Sequence, residues 1–386
     1  MRLSKFSLTI NTSVYLLLLL ATVVPLLYQN LPPKAVSDFV IDKVTTQDKK
    51  PDYMTMAYAC EDCMVPSVHG SNVVETLDGG LFATWFGGSR EGGRDVVLWG
   101  ANYSPITLTW SSPRRIISPA QTQTALGRYI KTVGNSVLVR GEQGRLWLYY
   151  VTVSVGGWAG SALNVILSLD DGKTWDTPRR MITSPFANIS TLNKSAAVQY
   201  IDGTIGLPVY HEFIGKFSEL LHLDNAGKVL EKTRITSGRH AIQPLVLPLD
   251  TQHALALMRD TGPRPGHVLI SRSSDAGRSW SADEKLDLPN PDSAVAGLRR
   301  PDGSLLLVFN DIEFGRNSLA LAVSRDQGQS WHTVRHFEQN SGGKDEFSYP
   351  YLIRSSNGTM HLLYTWNRQR IRHVAFNDNW VDGRVP

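Results

Sequence analysis

Ser168-Leu-Asp170-Asp171-Gly172-Lys-Thr174-Trp175 decides the fold, because it occurs three times. It returns as Ser273-Ser-Asp275-Ala-Gly277-Arg-Ser279-Trp280 and as Ser324-Arg-Asp326-Gln-Gly328-Gln-Ser330-Trp331. Each part of S-x-D-x-G-x-[TS]-W has its own physical role. The Asp accepts hydrogen bonds from the backbone of its own turn. The Gly supplies a positive φ. The Ser or Thr hydroxyl adds a side-chain-to-backbone bond. The Trp folds back and buries its ring under the turn. The box therefore reads as a β-hairpin tip with a small core of its own.

Outward from the boxes, a larger unit repeats from Met64. Each unit opens with an apolar strand, turns tightly, and runs a second and a third strand. The turns are Leu77-Asp-Gly-Gly80, Gly141-Glu-Gln-Gly144, Ile201-Asp-Gly-Thr204, Leu249-Asp-Thr-Gln252, Pro301-Asp-Gly-Ser304 and Ser356-Asn-Gly-Thr359. Asp-Gly and Asn-Gly are strong hairpin signals. Second strands are expected at 81–86, 146–151, 205–210, 254–258, 305–309 and 360–364. Third strands are expected at 95–103, 162–169, 218–223, 267–272, 318–323 and 371–376. Trp110 and Asp224-Asn-Ala-Gly227 look like eroded boxes of units one and three.

Six such units, none able to bury both faces alone, predict an all-β, six-bladed β-propeller over 53–386. A β-sandwich is the weaker alternative. The last strand, around Asp378 to Val381, is not expected to close the ring by itself. Residues near Tyr53 to Cys63 are the candidates for the missing edge strand.

Ahead of the propeller, Arg2 and Lys5 precede an apolar run from Val14 to Leu27. Residues 1–30 read as a signal peptide or signal-anchor. Either predicts export, with the protein held on the non-cytoplasmic side of a membrane or, after cleavage, secreted or periplasmic. Residues 31–52, with Pro32, Pro33, Lys49, Lys50 and Pro51, read as a linker. The two cysteines, Cys60 and Cys63, form a C-x-x-C without partners for a metal site, so a local disulfide or two idle thiols is expected. Net charge is only +4, from 39 basic and 35 acidic residues, and basic runs are absent, which argues against nucleic acid. No H-E-x-x-H or G-x-S-x-G motif supports zinc protease or serine hydrolase chemistry. No cofactor or metal is required.

Propeller sites form where inner strands and the loops after second strands meet the channel. Those positions are rich in polar residues. Unit one gives His69, Asn72, Arg90, Glu91, Arg94 and Asp95. Unit two gives Arg128, Lys131 and Asn135, and unit three Asn193, Lys194, Tyr210, His211 and Glu212. Unit four gives Gln243, Arg259 and Asp260. Unit five gives Asp292, Asn310, Asp311 and Arg316. Unit six gives Glu346, Tyr349, Tyr351, Asn367, Arg368 and Arg370. Mixed arginines and carboxylates suit an acidic sugar, with Arg gripping a carboxylate and a carboxylic acid protonating a leaving oxygen. Tyr349 and Tyr351 alternate along a strand and are expected on one face.

The three boxes, together with Thr84-Trp-Phe-Gly-Gly-Ser-Arg-Glu-Gly92, Ala241-Ile-Gln-Pro244, Ala256-Leu-Met-Arg259, Phe347-Ser-Tyr-Pro350 and His361-Leu-Leu-Tyr-Thr-Trp366, resemble the sialidase superfamily. Within it, the chain looks like the bacterial BNR-repeat sialidase-like proteins. The resemblance covers Met64 to about Val381. It implies a glycosidase that releases a terminal acidic sugar, sialic acid or a related one, with an acidic glycan as partner. It implies Tyr349 as nucleophile, Glu212 as its partner and Glu91 or Asp95 as acid/base. It implies Arg90, Arg259, Arg316 and Arg370, with Gln243, as substrate-binding residues. The family's first arginine stands nine residues before the first turn, where this chain has His69. That departure leaves uronic acids open as substrates, and leaves two further readings. One is a non-catalytic glycan-binding propeller. The other is a polysaccharide lyase with His69 or Tyr349 as base.

Overall fold

Six antiparallel sheets follow one another along the chain, one for each sequence unit. They belong to a computed structural model that describes Tyr15, Leu16, Leu19 and residues 37–41, 51–184 and 188–383. The expected signal or anchor segment therefore lies almost wholly outside the described residues. Among these, no helix is long and apolar enough to cross a membrane.

Blade one pairs Ser67–Glu75, Leu81–Gly88 and Val97–Ser104, with Thr109–Trp110 and Arg114–Ile117 at its outer edge. Blade two runs Thr132–Arg140, Leu146–Val153, Ser161–Ser168 and Arg179–Arg180. In blade three, Leu192–Asn193 and Val198–Gln199 both pair with Ile205–His211, followed by Phe217–Leu223 and Val229–Arg234. Blade four is Ala241–Pro248, Ala254–Asp260, His267–Ser273 and Glu284–Pro289. Blade five is Ala296–Arg299, Leu305–Phe309, Ser318–Ser324 and His332–Gln339. The second and third strands fall where the hairpin signals put them. First strands of neighbouring blades pack around the ring, and blade six meets blade one.

Blade six takes Phe347–Arg354, Met360–Trp366 and Arg370–Phe376 from the end of the chain and its outer strand, Met54–Cys60, from the beginning. The register runs antiparallel from Met54 opposite Phe376. This is the ring closure expected of residues near Tyr53 to Cys63. Asp378–Asp382 is a short helix rather than a strand, capped by the Asn377 side chain, which accepts from Trp380 N–H. Cys60 and Cys63 form a disulfide at the end of the closing strand.

Each box builds the same turn. In the first, Asp170 Oδ1 accepts from Thr174 N–H at 2.8 Å and Oδ2 from the Thr174 hydroxyl at 2.6 Å. Those bonds hold the Asp170 carboxyl down at about 2. Gly172 has φ 83°. The turn also spaces the blades. A Cβ on Gly172 would fall 2.8 Å from Phe82 of blade one, and one on Gly328 would fall 2.4 Å from Leu255 of blade four. Only glycine lets the tip lie this close to its neighbour. The core is divided in the same manner. Apolar side chains from facing sheets fill the wedge between blades, such as Leu257 and Leu307 between blades four and five.

Part of the expected linker is docked. Phe39 is fully buried, stacks on Tyr200 at 5.1 Å and lies 3.5 Å from the Cβ position of Gly277 in blade four's box. Its N–H donates to Thr251 O, and Val40 N–H donates to Gln199 O. An aromatic side chain in a polar, proline-containing stretch has plugged the groove between blades three and four.

Candidate active site

The inner strands of blades one, two, four and six each carry a β-bulge at the same place. Register shifts between His69 and Asn72, Val133 and Ser136, Ile242 and Leu245, and Ser348 and Tyr351. Bulges re-aim side chains and cluster beside active sites. Gln243 and Tyr349 sit at equivalent bulge positions, both with φ 54°. For a non-glycine residue this backbone costs about 1 kcal/mol or more. At the corresponding place in blade one stands Gly70, where a Cβ would fall 2.7 Å from Phe86 and 2.9 Å from Asn135 Oδ1. The bulge also separates Tyr349 from Tyr351. The expected shared face does not exist. Tyr351 is packed in the core between blades six and one, while Tyr349 turns toward the channel beside His69, with ring centroids 4.2 Å apart.

Around Tyr349 the bulge residues meet. Gln243 Nε2 donates to Tyr349 Oη at 3.1 Å and to Tyr210 Oη at 3.4 Å. Asn135, from blade two's bulge, donates to Tyr210 Oη at 3.3 Å. Arg259 Nη1 donates to Gln243 Oε1 at 3.2 Å, and its Nε donates to Asp292 at 2.6 Å. Burial pushes the Tyr210 phenol well above its ordinary value, with the nearby Tyr349 and Glu212 adding to the effect.

Two further guanidinium groups complete the floor. Arg316 donates to Glu346 Oε1 at 3.2 Å and to Asp292 O at 2.8 Å. Arg368 donates to Glu346 Oε2 at 2.8 Å and to Glu91 Oε2 at 2.7 Å. Burial would raise the Glu346 carboxyl, but the bonds from Arg368 and Ser348 overcome it and hold it down at about 2. The carboxylates fix each guanidinium, so these side chains have little rotamer freedom left. His69 lies beneath, 1% exposed, with Nδ1 on the Thr365 hydroxyl at 3.0 Å. Burial holds its pKa well below the ordinary value, and Arg368 pushes the same way, so it is neutral.

Glu212 is half-buried at the mouth, with its N–H held by Ser190 Oγ at 2.8 Å. Burial raises its carboxyl above the usual range, Asp292 and Glu91 add to this, and Lys216 and Arg259 oppose it. Its carboxylate has no hydrogen-bond or ion-pair partner among the described residues, Tyr349 included.

Of the ten residues expected from sequence to catalyse or to bind substrate, Tyr349, His69, Gln243, Arg259, Arg316, Glu212 and Glu91 share this region. Three do not. Asp95 is exposed and braces its own loop, accepting from Ser89 N–H at 2.7 Å and from the Ser89 hydroxyl at 2.8 Å; those bonds hold its carboxyl below the usual range. Arg90 stays exposed on the same loop. Arg370 lies over the rings of Tyr58 and Trp366, at 5.2 and 5.6 Å, on the blade's outer part. Its place at the centre is taken by Arg368, two residues earlier. A signal for this existed. Arg370 and Arg372 flank the core residue Ile371 in a strand, so both arginines must point away from the core. Asp292, Glu346, Tyr210 and Asn135 also belong to the site. Among the described residues no group of three or more His, Cys, Asp or Glu side chains is placed to hold a metal.

Residues 79–362 match the BNR repeat-like domain family. The chain belongs to that family. No curated protein matches it in sequence. This BNR repeat-like chain is similar in structure to a Hadza microbial sialidase, with TM-score 0.67 and 18% identity, over 83% of this chain and 67% of that one. It is similar to the intramolecular trans-sialidase of Ruminococcus gnavus, with TM-score 0.66 and 12% identity, over 85% and 98% of the two chains. It is also similar to a Dyadobacter fermentans protein of unknown function, with TM-score 0.64 and 15% identity, over 81% and 94%. At these identities the likeness establishes a shared sialidase-like propeller.

Proposed function

We propose that this BNR repeat-like protein is a sialidase-type glycoside hydrolase that releases a terminal acidic sugar from glycans. The observation that carries the reading is the convergence of Arg259, Arg316 and Arg368 on the floor beside Tyr349. The arginines bind the sugar's carboxylate. Tyr349, having lost its phenol proton to water, attacks the anomeric carbon through Oη. The bond to the leaving oxygen breaks, and that oxygen keeps the electron pair and takes the proton of Glu212. The raised Glu212 carboxyl suits this acid role better than that of partner to Tyr349. Water then attacks the same carbon. Glu212 takes the water's proton, and Tyr349 Oη leaves with its electrons, restoring the phenolate.

The test is hydrolysis of a fluorogenic sialoside by the full-length chain, beside Tyr349→Phe. Turnover lost in the variant supports the reading, and no release by folded wild type sinks sialic acid as the substrate. A second reading, glycan binding without cleavage, draws on the full pairing of the three arginines with Asp292, Glu346 and Glu91. Sugar retained without release would favour it. The lyase alternative loses one of its two candidate bases, because His69 is buried and engaged with Thr365. We also place the protein outside the cytoplasm, reached through residues 1–30. The Cys60–Cys63 disulfide supports an oxidising compartment. Cell fractionation with protease protection tests the placement.

A further inference from the structure

Gln243 is a glutamine where no substrate contact is needed to explain it. It is 1% exposed, on a bulge with φ 54°. Its amide is oriented by chemistry. Arg259 has only donors, so the Gln243 atom facing Arg259 Nη1 is the acceptor Oε1. The amide nitrogen must then face the two phenols, Tyr349 at 3.1 Å and Tyr210 at 3.4 Å. Tyr349 Oη thus receives an N–H, and no carboxylate among the described residues is hydrogen-bonded to it.

We propose that Gln243 is a positioning residue: oriented by Arg259, its amide N–H holds Tyr349 Oη in place and favours its anionic, nucleophilic form. This rests on the nucleophile reading above and assigns the supporting group within it. A donor aimed at an oxygen stabilises that oxygen when it carries charge. The Arg259 charge polarises the amide and strengthens the donor. Tyr210 shares the same nitrogen, but it also accepts from Asn135 and is wholly buried, so it stays a neutral phenol that fixes the second amide hydrogen. Both amide hydrogens and the amide oxygen are therefore committed within the protein. The sequence pattern agrees, since Ala241-Ile-Gln-Pro244 and Phe347-Ser-Tyr-Pro350 put the amide and the phenol at equivalent positions of two blades.

The experiment compares full-length wild type with Gln243→Met, which keeps length and volume but removes the donor. Thermal unfolding first establishes that the variant is folded. On the fluorogenic sialoside, kcat is expected to fall by about a hundredfold, the usual consequence of removing one donor from a charged oxygen. KM is expected to stay within about threefold, because no substrate contact is lost. A rise in KM with kcat unchanged would make Gln243 a substrate ligand and overturn the proposal, as would two unchanged constants. A second readout needs no substrate. Nitration by tetranitromethane proceeds through the phenolate, and peptide mass spectrometry reads Tyr349 against the half-exposed Tyr129 as internal reference. The Tyr349-to-Tyr129 ratio should drop about tenfold in Gln243→Met, the worth of one hydrogen bond to a charged oxygen. An unaltered ratio overturns the proposal whether or not sialosides are cleaved. A lowered ratio in a protein that cleaves none leaves it standing and discards sialic acid alone.

Discussion

Lys194 offers a sharp test of how the ring is held together. Its ammonium end is buried among the inner strands, the residue being 4% exposed, and donates to Val295 O at 2.7 Å and Pro350 O at 2.6 Å. One side chain from blade three thus ties the inner strands of blades five and six. It has no carboxylate partner among the described residues, and burial brings its pKa down to about 7. An unfolded lysine titrates near roughly 10.4. Above the folded value the native protein holds Lys194 neutral while the unfolded chain still binds the proton. The unfolded state then binds more protons, so stability rises with pH. Between about pH 7 and about pH 9 the linkage amounts to about 2 kcal/mol. Lys194→Met removes the titration and leaves two carbonyls without a donor, at about 1–3 kcal/mol each. The relief of charge burial offsets much of that loss at neutral pH. The pH slope is therefore the diagnostic quantity. Urea unfolding of both proteins across this range should show wild type gaining about 2 kcal/mol over the variant. Parallel stability curves would refute the argument.

Three other outcomes follow from the packing and the site. Gly328→Ala should cost about 1–3 kcal/mol, from the Cβ placed 2.4 Å from Leu255 and the positive φ of 82°, read as a lowered urea midpoint. Phe39→Ala should cost about 3–5 kcal/mol by emptying the groove beside Tyr200; a change below 1 kcal/mol would mean that the segment is not docked in solution. Glu346 has a folded-state carboxyl held down at about 2, against roughly 4.3 unfolded, so its stabilisation is present above that unfolded value and lost as pH falls through the folded one. Glu346→Gln should flatten the acid limb of the stability curve, measured by denaturation between about pH 5 and about pH 2.

The blades were legible in the sequence because turn chemistry is local. Asp-Gly and Asn-Gly name their own dihedral angles, and the boxes name theirs. Ring closure by Met54–Cys60 was legible from the shortage of strands in the last unit. What escaped was decided at longer range. The prolines after Gln243 and Tyr349 mark the bulges only once two blades are laid side by side, so Tyr349 and Tyr351 looked like neighbours on one face. Arg368 and Arg370 differ only in which side of a strand's start they occupy. Phe39 lay within a stretch whose prolines and charges spoke for a linker, and only Tyr200 and the box of blade four explain it. The helix Pro119–Leu126 did carry a local sign, the capping box of Ser118 and Gln121.

The pairing of Met54–Cys60 with Arg370–Phe376 also sets an order of events. Tyr53 N–H reaches Asn377 Oδ1 at 3.2 Å, so the two ends of the propeller are adjacent in space although separated by 324 residues of chain. During synthesis the first strand emerges as an unmatched edge and stays so until the last hairpin leaves the ribosome. Blade six is therefore the final blade to become whole, and a chain stopped before Arg370 is an open arc with two sticky rims. The same adjacency brings the first and last strands of the propeller side by side. Joining the ends and cutting at an exposed hairpin tip would move the late step to another blade while leaving the channel floor untouched.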